Sequence, residues 1–113
     1  MGEWRRSYKI APPVVFHDDP RHPVNDEKYK DVHPSLLPNT EHLGHVLERV
    51  NVLYEEEIRS DLLAKKKVII VCHGSTIRVL SNILLKFGLN QSSAFNIPNA
   101  TPLLLELNND LKV

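Results

Sequence analysis

The run Val68-Ile69-Ile70-Val71-Cys72 is apolar at every position, and four of its five residues are β-branched. Branching at Cβ stiffens χ1 and favours extended backbone. A strand that is apolar on both faces belongs in a sheet covered on both sides, as parallel sheets clothed by helices are. The run therefore predicts a central strand, and a central strand needs a neighbour on each edge. His73-Gly74-Ser75-Thr76 breaks the pattern. Ile77, Leu80, Ile83, Leu84 and Phe87 then recur at helical spacing, with Gly88 read as the C-terminal stop. Pro102 to Leu107 predicts a second strand, followed by a turn at Asn108-Asn109-Asp110.

Residues 40–63 predict a helix whose face is built from Leu43, Val46, Leu47, Val50, Leu53 and Tyr54. Asn39 or Thr40 is placed to accept hydrogen bonds from its first-turn amides, and Gly44 weakens it slightly. Residues 1–39 carry six of the eight prolines. Proline removes a backbone donor and fixes φ, which excludes long helices and central strands there. The expectation is an irregular, lid-like excursion with one short helical turn near Asp26–Lys30. The order helix, strand, helix, strand over 40–113 predicts an α/β fold. Two strands do not make a stable sheet; three or more are needed. The chain is accordingly read as part of a larger domain.

Several function classes fall away on composition. The 113 residues include 14 basic and 14 acidic side chains. No excess positive charge exists to release counterions, so nucleic acid is not an expected partner. Apolar runs of about five residues fall far short of the roughly twenty that span a membrane. The N-terminus has no signal-peptide core, and Arg6 stands where a myristoylation signal wants Ser or Thr. A single cysteine excludes an internal disulfide framework and fits a reducing compartment.

Chemistry concentrates at Val68–Arg78. A buried strand delivers His73 to its C-terminal end, where ligands bind in open α/β sheets. Gly74 lets backbone approach a ligand closely. Ser75 and Thr76 bring hydroxyls and amides to a helix N-terminus, where unpaired N–H groups and the helix dipole attract phosphate. Arg78 is placed to brace the loop or the anion. A histidine here donates to a phosphoryl oxygen or shuttles a proton; the competing reading is a histidine that merely ends a strand. Cys72 beside it points to the opposite face, which makes a Cys–His dyad awkward and a structural cysteine the simpler reading.

Trp4-Arg5-Arg6-Ser7-Tyr8 sets two guanidiniums beside two aromatic rings, suited to phosphate or carboxylate or to a solvated basic patch. His17-Asp18-Asp19-Pro20-Arg21-His22 holds metal-ligand residue types, but Arg21 among them argues against a metal. His33, His42 and His45 read as surface residues, and Glu55-Glu56-Glu57 as a solvated helix face.

Taken in order, WRRSYKIAPP at 4–13, DEKYKDV at 26–32, LLPNTEHL at 36–43, VIIVCHGSTIR at 68–78 and NIPNATPLLLELNNDLKV at 96–113 resemble the cofactor-dependent phosphoglycerate mutases. That family lies within the histidine phosphatase superfamily. The resemblance implies the C-terminal part of a three-layer sandwich with a mostly parallel sheet, lacking the N-terminal strand that carries an Arg-His-Gly motif and the phosphorylated histidine. It implies that His73 sits against the transferring phosphoryl group and that Gly74 accompanies it. Arg5 and Arg6 then hold the substrate's acidic groups. Ser75 stands in place of a substrate-binding asparagine, and Asn99-Ala100 in place of a threonine-glycine pair. The implied reaction interconverts 3-phosphoglycerate and 2-phosphoglycerate in glycolysis, in the cytoplasm, with 2,3-bisphosphoglycerate as primer and no metal. The implied partners are phosphoglycerate and either a homo-oligomer or a missing N-terminal half. Two alternatives stand beside it: a related histidine-type phosphatase, and a non-catalytic remnant or divergent paralogue.

Overall fold

The computed structural model describes Trp4 and residues 6–113. Its ordered centre is helical. Helix α1 spans Leu43–Leu53, runs through a π-helical turn at Tyr54–Ile58, and continues as α2, Arg59–Leu63. Helix α3 spans Gly74–Leu85 and α4 spans Leu89–Ala94. Leu43, Val46, Val50 and Tyr54 from the first helical stretch pack with Val79, Leu80 and Ile83 of α3 and with Tyr8, all under a tenth exposed. Leu47, Ile58, Leu62, Cys72 and Leu84 pack against this cluster.

The π turn follows from the spacing of the apolar residues. Val50, Tyr54, Ile58 and Leu62 are each four apart. In a helix of 3.6 residues per turn, each four-residue step overshoots by about 40°. The Arg59 N–H bonds to the Tyr54 carbonyl, five residues back, and this wider winding absorbs the overshoot. Ile58 and Leu62 thereby stay on the core side, whereas Leu53 is 47% exposed.

The cap of α1 is His42, where Asn39 or Thr40 was expected. The His42 and His45 rings stack at 3.8 Å, and each Nδ1 accepts the other's backbone N–H at 3.3 Å. Thr40 instead donates its hydroxyl to the Pro12 carbonyl at 2.7 Å. Gly44 has a positive role: a Cβ there would lie 2.5 Å from the Tyr8 carbonyl oxygen. Its bareness lets the Ser7–Tyr8 strand of backbone lie against α1, where the Leu43 N–H donates to the Ser7 carbonyl at 3.2 Å.

Gly88 is not the stop of α3. The helix ends at Leu85, Lys86 takes the left-handed conformation at φ 57°, and Gly88 caps the start of α4. Helix α4, which the apolar pattern did not predict, is bolted down by serines. Ser92, fully buried, donates its hydroxyl to the Arg78 carbonyl at 2.7 Å and meets the Tyr8 hydroxyl at 2.5 Å. Ser93 donates to the Arg6 carbonyl at 2.6 Å and its own carbonyl accepts from the Arg6 guanidinium at 3.2 Å.

The proline-rich segment is irregular, with 3-10 turns at Pro23–Asn25, Glu27–Tyr29 and Pro34–Leu36. Each turn is capped by the side chain before it: His22, Asp26 and His33 accept the amides of Val24, Lys28 and Ser35. The Val15 N–H bonds to the Asn39 carbonyl at 3.0 Å and ties the base of the excursion.

The α/β sandwich with a mostly parallel sheet is overturned. Among the described residues there is no β-strand. Neither Val68–Cys72 nor Pro102–Leu107 bonds its backbone to a neighbouring strand. The expectation that Val68–Cys72 buries both faces also fails, since Ile69 is 89% and Val71 93% exposed. Apolar side chains specify an extended run, but a strand exists only where a ladder partner is present, and here neither run has one.

Candidate active site

His73 is the N-cap of α3, with extended backbone at φ −68° and ψ 155°. Its carbonyl accepts the Ile77 amide at 3.1 Å and opens the helix ladder. Its exposed ring makes no capping bond, leaving both nitrogens for a ligand. The amides of Gly74, Ser75 and Thr76 precede the first intrahelical bond, so the helix offers unpaired donors and the positive end of its dipole beside this imidazole. A Cβ on Gly74 would meet only Ile97, at 4.0 Å. Open space, not crowding by protein, surrounds this turn.

His73 and Gly74 stand on the rim of an 820 Å³ cleft together with Asn99 and Ala100. The structure thus brings three of the sequence-derived candidates, His73, Gly74 and Asn99, to one place. Ser75, half-buried in the first turn of α3, does not line the cleft. Arg6 is engaged by Ser93 at the end of α4. Arg5 lies outside the described residues. Ala100 sits at φ 54°, in the left-handed region. That is the conformation glycine adopts without strain.

Arg78, read as a brace for the His73–Thr76 loop or for an anion, instead bonds to the segment that follows α4. Buried on α3, it donates Nε–H to the Phe95 carbonyl at 2.9 Å, fixing the turn from α4 into the Ile97–Asn99 rim. The link depends on α4, which leaves no periodic apolar pattern in the sequence. Cys72 packs inward against the helices while His73 is exposed, and burial pushes the thiol pKa up. A protonated, inward-facing thiol is no nucleophile for His73.

The other histidine cluster is committed to structure. His22 is 1% exposed; its Nδ1 accepts the Val24 amide at 3.0 Å, so Nε2 carries the proton and donates to Asn39 at 2.7 Å. The Arg21 side chain, and secondarily its backbone N–H, hold the Asp19 carboxyl pKa down at about 2. Among the described residues no group of three or more His, Cys, Asp or Glu side chains converges as a metal site would. No helix there is long and apolar enough to cross a membrane.

Comparison with known proteins gives the family. Residues 14–113 match the histidine phosphatase superfamily (branch 1). The chain belongs to that superfamily. Its relatives include a 2,3-bisphosphoglycerate-dependent phosphoglycerate mutase of Nitratidesulfovibrio vulgaris, 39% identical over 109 residues, which are 96% of this chain and 44% of the relative. A phosphoglycerate mutase of Candida albicans is 38% identical over the same share of each chain. A 2,3-bisphosphoglycerate-dependent phosphoglycerate mutase of Histophilus somni is 36% identical over 108 residues, 48% of its length. This histidine phosphatase homologue therefore spans just under half the length of the curated relatives it matches.

Proposed function

We propose that the chain contributes the anion-binding side of a phosphoglycerate-mutase-like pocket. The observation that carries this reading is the exposed, uncapped His73 ring at the start of α3, beside three free amides and opposite Asn99. Phosphoryl transfer depends on positioning and on stabilising charge spread over the equatorial oxygens. His73 donates to one of those oxygens, and the Gly74, Ser75 and Thr76 amides hold the others. These groups fit one phosphoryl group of 2,3-bisphosphoglycerate. That ester, when bound, supplies the phosphoryl group that primes a mutase cycle.

The relatives' name, phosphoglycerate mutase, supports a phosphoglycerate as substrate, and the sequence resemblance supplies the 3-phosphoglycerate and 2-phosphoglycerate pair. Arg6 and Arg5 are assigned to the substrate's acidic groups by the same resemblance. The acceptor histidine of such a relay has no counterpart among the candidates: His22 has both ring nitrogens engaged. Turnover is accordingly assigned to the chain joined with a segment carrying that histidine.

The test is titration of the chain with 2,3-bisphosphoglycerate, followed by proton NMR of the His73 ring and by calorimetry. The expected result is saturable binding that moves the His73 resonances and weakens about tenfold or more in His73→Ala, the loss of one charge-assisted contact. Equal binding by the variant would remove His73 from the site. Ala100 at φ 54° favours a second reading, a non-catalytic anion binder, because its methyl strains the rim. That reading predicts binding without phosphoglycerate turnover even when a segment carrying the acceptor histidine is supplied.

A further inference from the structure

Helix α4 brings no side chain to the apolar core; Ser92 is its one buried residue. So short a helix does not hold itself together in water. The ring contact that flanks it, Phe87 edge-on to Phe95 at 5.8 Å, closes residues 87–95 on themselves. Hydrogen bonds therefore place α4 against the rest of the molecule, and Ser92 stands at their centre. Its hydroxyl meets the Arg78 carbonyl of α3 at 2.7 Å and the Tyr8 hydroxyl at 2.5 Å. A carbonyl only accepts, and a serine hydroxyl has one proton. Ser92 thus gives its proton to Arg78, and Tyr8 gives its own to Ser92. The result is a one-way chain from Tyr8 through Ser92 to α3. It is shielded from water, since Ser92 is fully buried and Tyr8 and Arg78 are each 8% exposed.

The two ends of this chain lead to the two sides of the pocket. Arg78 lies five residues along α3 from His73, about 7.5 Å of helix axis. Tyr8 lies two residues from Arg6, whose carbonyl and guanidinium are both bonded to Ser93, the neighbour of Ser92. We propose that Ser92 is a positioning residue: its hydroxyl holds the Arg6–Tyr8 segment to α3, and so fixes the span between Arg6 and His73 that a ligand with two acidic groups must bridge. This deepens the reading of the His73 pocket and rests on it. A ligand with one acidic group meets the His73 turn alone and does not measure that span. Two linked contacts reinforce each other only where geometry lets both form together. Ser92 therefore governs the preference for a two-headed anion over a one-headed one while touching neither.

The test compares two variants of the chain by calorimetry with 2,3-bisphosphoglycerate and with inorganic phosphate. Ser92→Ala removes the central hydroxyl. Tyr8→Phe cuts only the link to Ser92, keeps its ring in the core and leaves Ser92 bonded to Arg78, so the fold is retained even where Ser92→Ala loosens it. Each variant should weaken bisphosphoglycerate binding about tenfold or more, the scale of one lost contact to a charged group, and leave inorganic phosphate within about twofold. The double variant should lose no more than Ser92→Ala, because both changes break one chain. Amide exchange gives a reading free of ligand. The Leu43 amide, bonded to the Ser7 carbonyl at 3.2 Å, should exchange about tenfold faster in both variants once the segment is released.

Equal loss of both anions would make Ser92 a general support of the fold, and additive losses would make Tyr8 and Ser92 independent. Either result overturns the assignment, as does unchanged binding. A parent chain that binds neither anion ends the reading of the His73 pocket, and the Leu43 amide then decides alone. Faster exchange in Tyr8→Phe upholds the positioning role of Ser92, and unchanged exchange overturns it.

Discussion

At the scale of single residues, the site carries a visible strain. Ala100 holds φ 54° next to Asn99 on the rim of the cleft. A residue with a Cβ costs roughly 1–2 kcal/mol in that region, and glycine does not. Glycine also loosens the unfolded chain, which offsets about 0.4–1 kcal/mol of the relief. Ala100→Gly should therefore stabilise by about 0.5–1 kcal/mol. With a urea slope near 1–3 kcal/mol per molar, the midpoint followed by circular dichroism should rise by about 0.5 M. A midpoint that falls would mean that the surrounding loop, not the methyl, dictates this conformation. The sequence showed alanine where the resembling enzymes carry glycine, but only the torsion angle shows that the position uses the glycine conformation.

At the scale of elements, the helices were legible, whereas the two strands read from the apolar runs are not formed among the described residues. Periodicity found α1 and α3 because an amphipathic face is written into every turn. It missed α4 because Leu89–Ala94 is short and held by the Ser92 and Ser93 hydroxyls, whose bonds reach to Arg78, Tyr8 and Arg6 and leave no local pattern. It placed the end of α3 at Gly88 because glycine is the usual left-handed residue, whereas Lys86 takes that role. His73 and Gly74 were singled out by the apolar run and the turn that follows it, and Asn99 by the family resemblance alone; the structure places all three along one cleft. The brace from Arg78 to Phe95 was left open because it depends on a loop position. The π turn was legible in principle, in the unbroken four-residue spacing from Val50 to Leu62. It holds one residue more than an α-helix over the same path. Deleting the exposed Glu56 should bring Ile58 and Leu62 back into α-helical spacing with Tyr54. The expected outcome is a continuous helix of unchanged or greater thermal midpoint, read by circular dichroism. A drop of several degrees would show that the π winding itself, and not the apolar register, is required.

At the scale of the whole molecule, the chain is stretched. Its radius of gyration is 16.2 Å and its extents are 49 × 32 × 24 Å, where a compact domain of this length has a radius near 13 Å. The helical core gathers around Val79, which is fully buried. The apolar runs of 68–72 and 103–107 face water, with Ile69, Val71 and Leu104 more than four-fifths exposed. Unpaired, apolar, extended backbone is the template on which chains associate edge to edge. Ile69 and Val71 contribute to that hazard and little to the core, being 89% and 93% exposed. Replacing both with lysine should suppress association, since like charges on an exposed extended run repel a second copy. The helical core should be unaffected, because neither side chain belongs to it. Light scattering at rising concentration should stay at the monomer value for the double variant and climb for the parent, while their circular dichroism spectra coincide. Equal scattering by both would place the association surface elsewhere, on the exposed Phe16 and Leu36 of the proline-rich excursion.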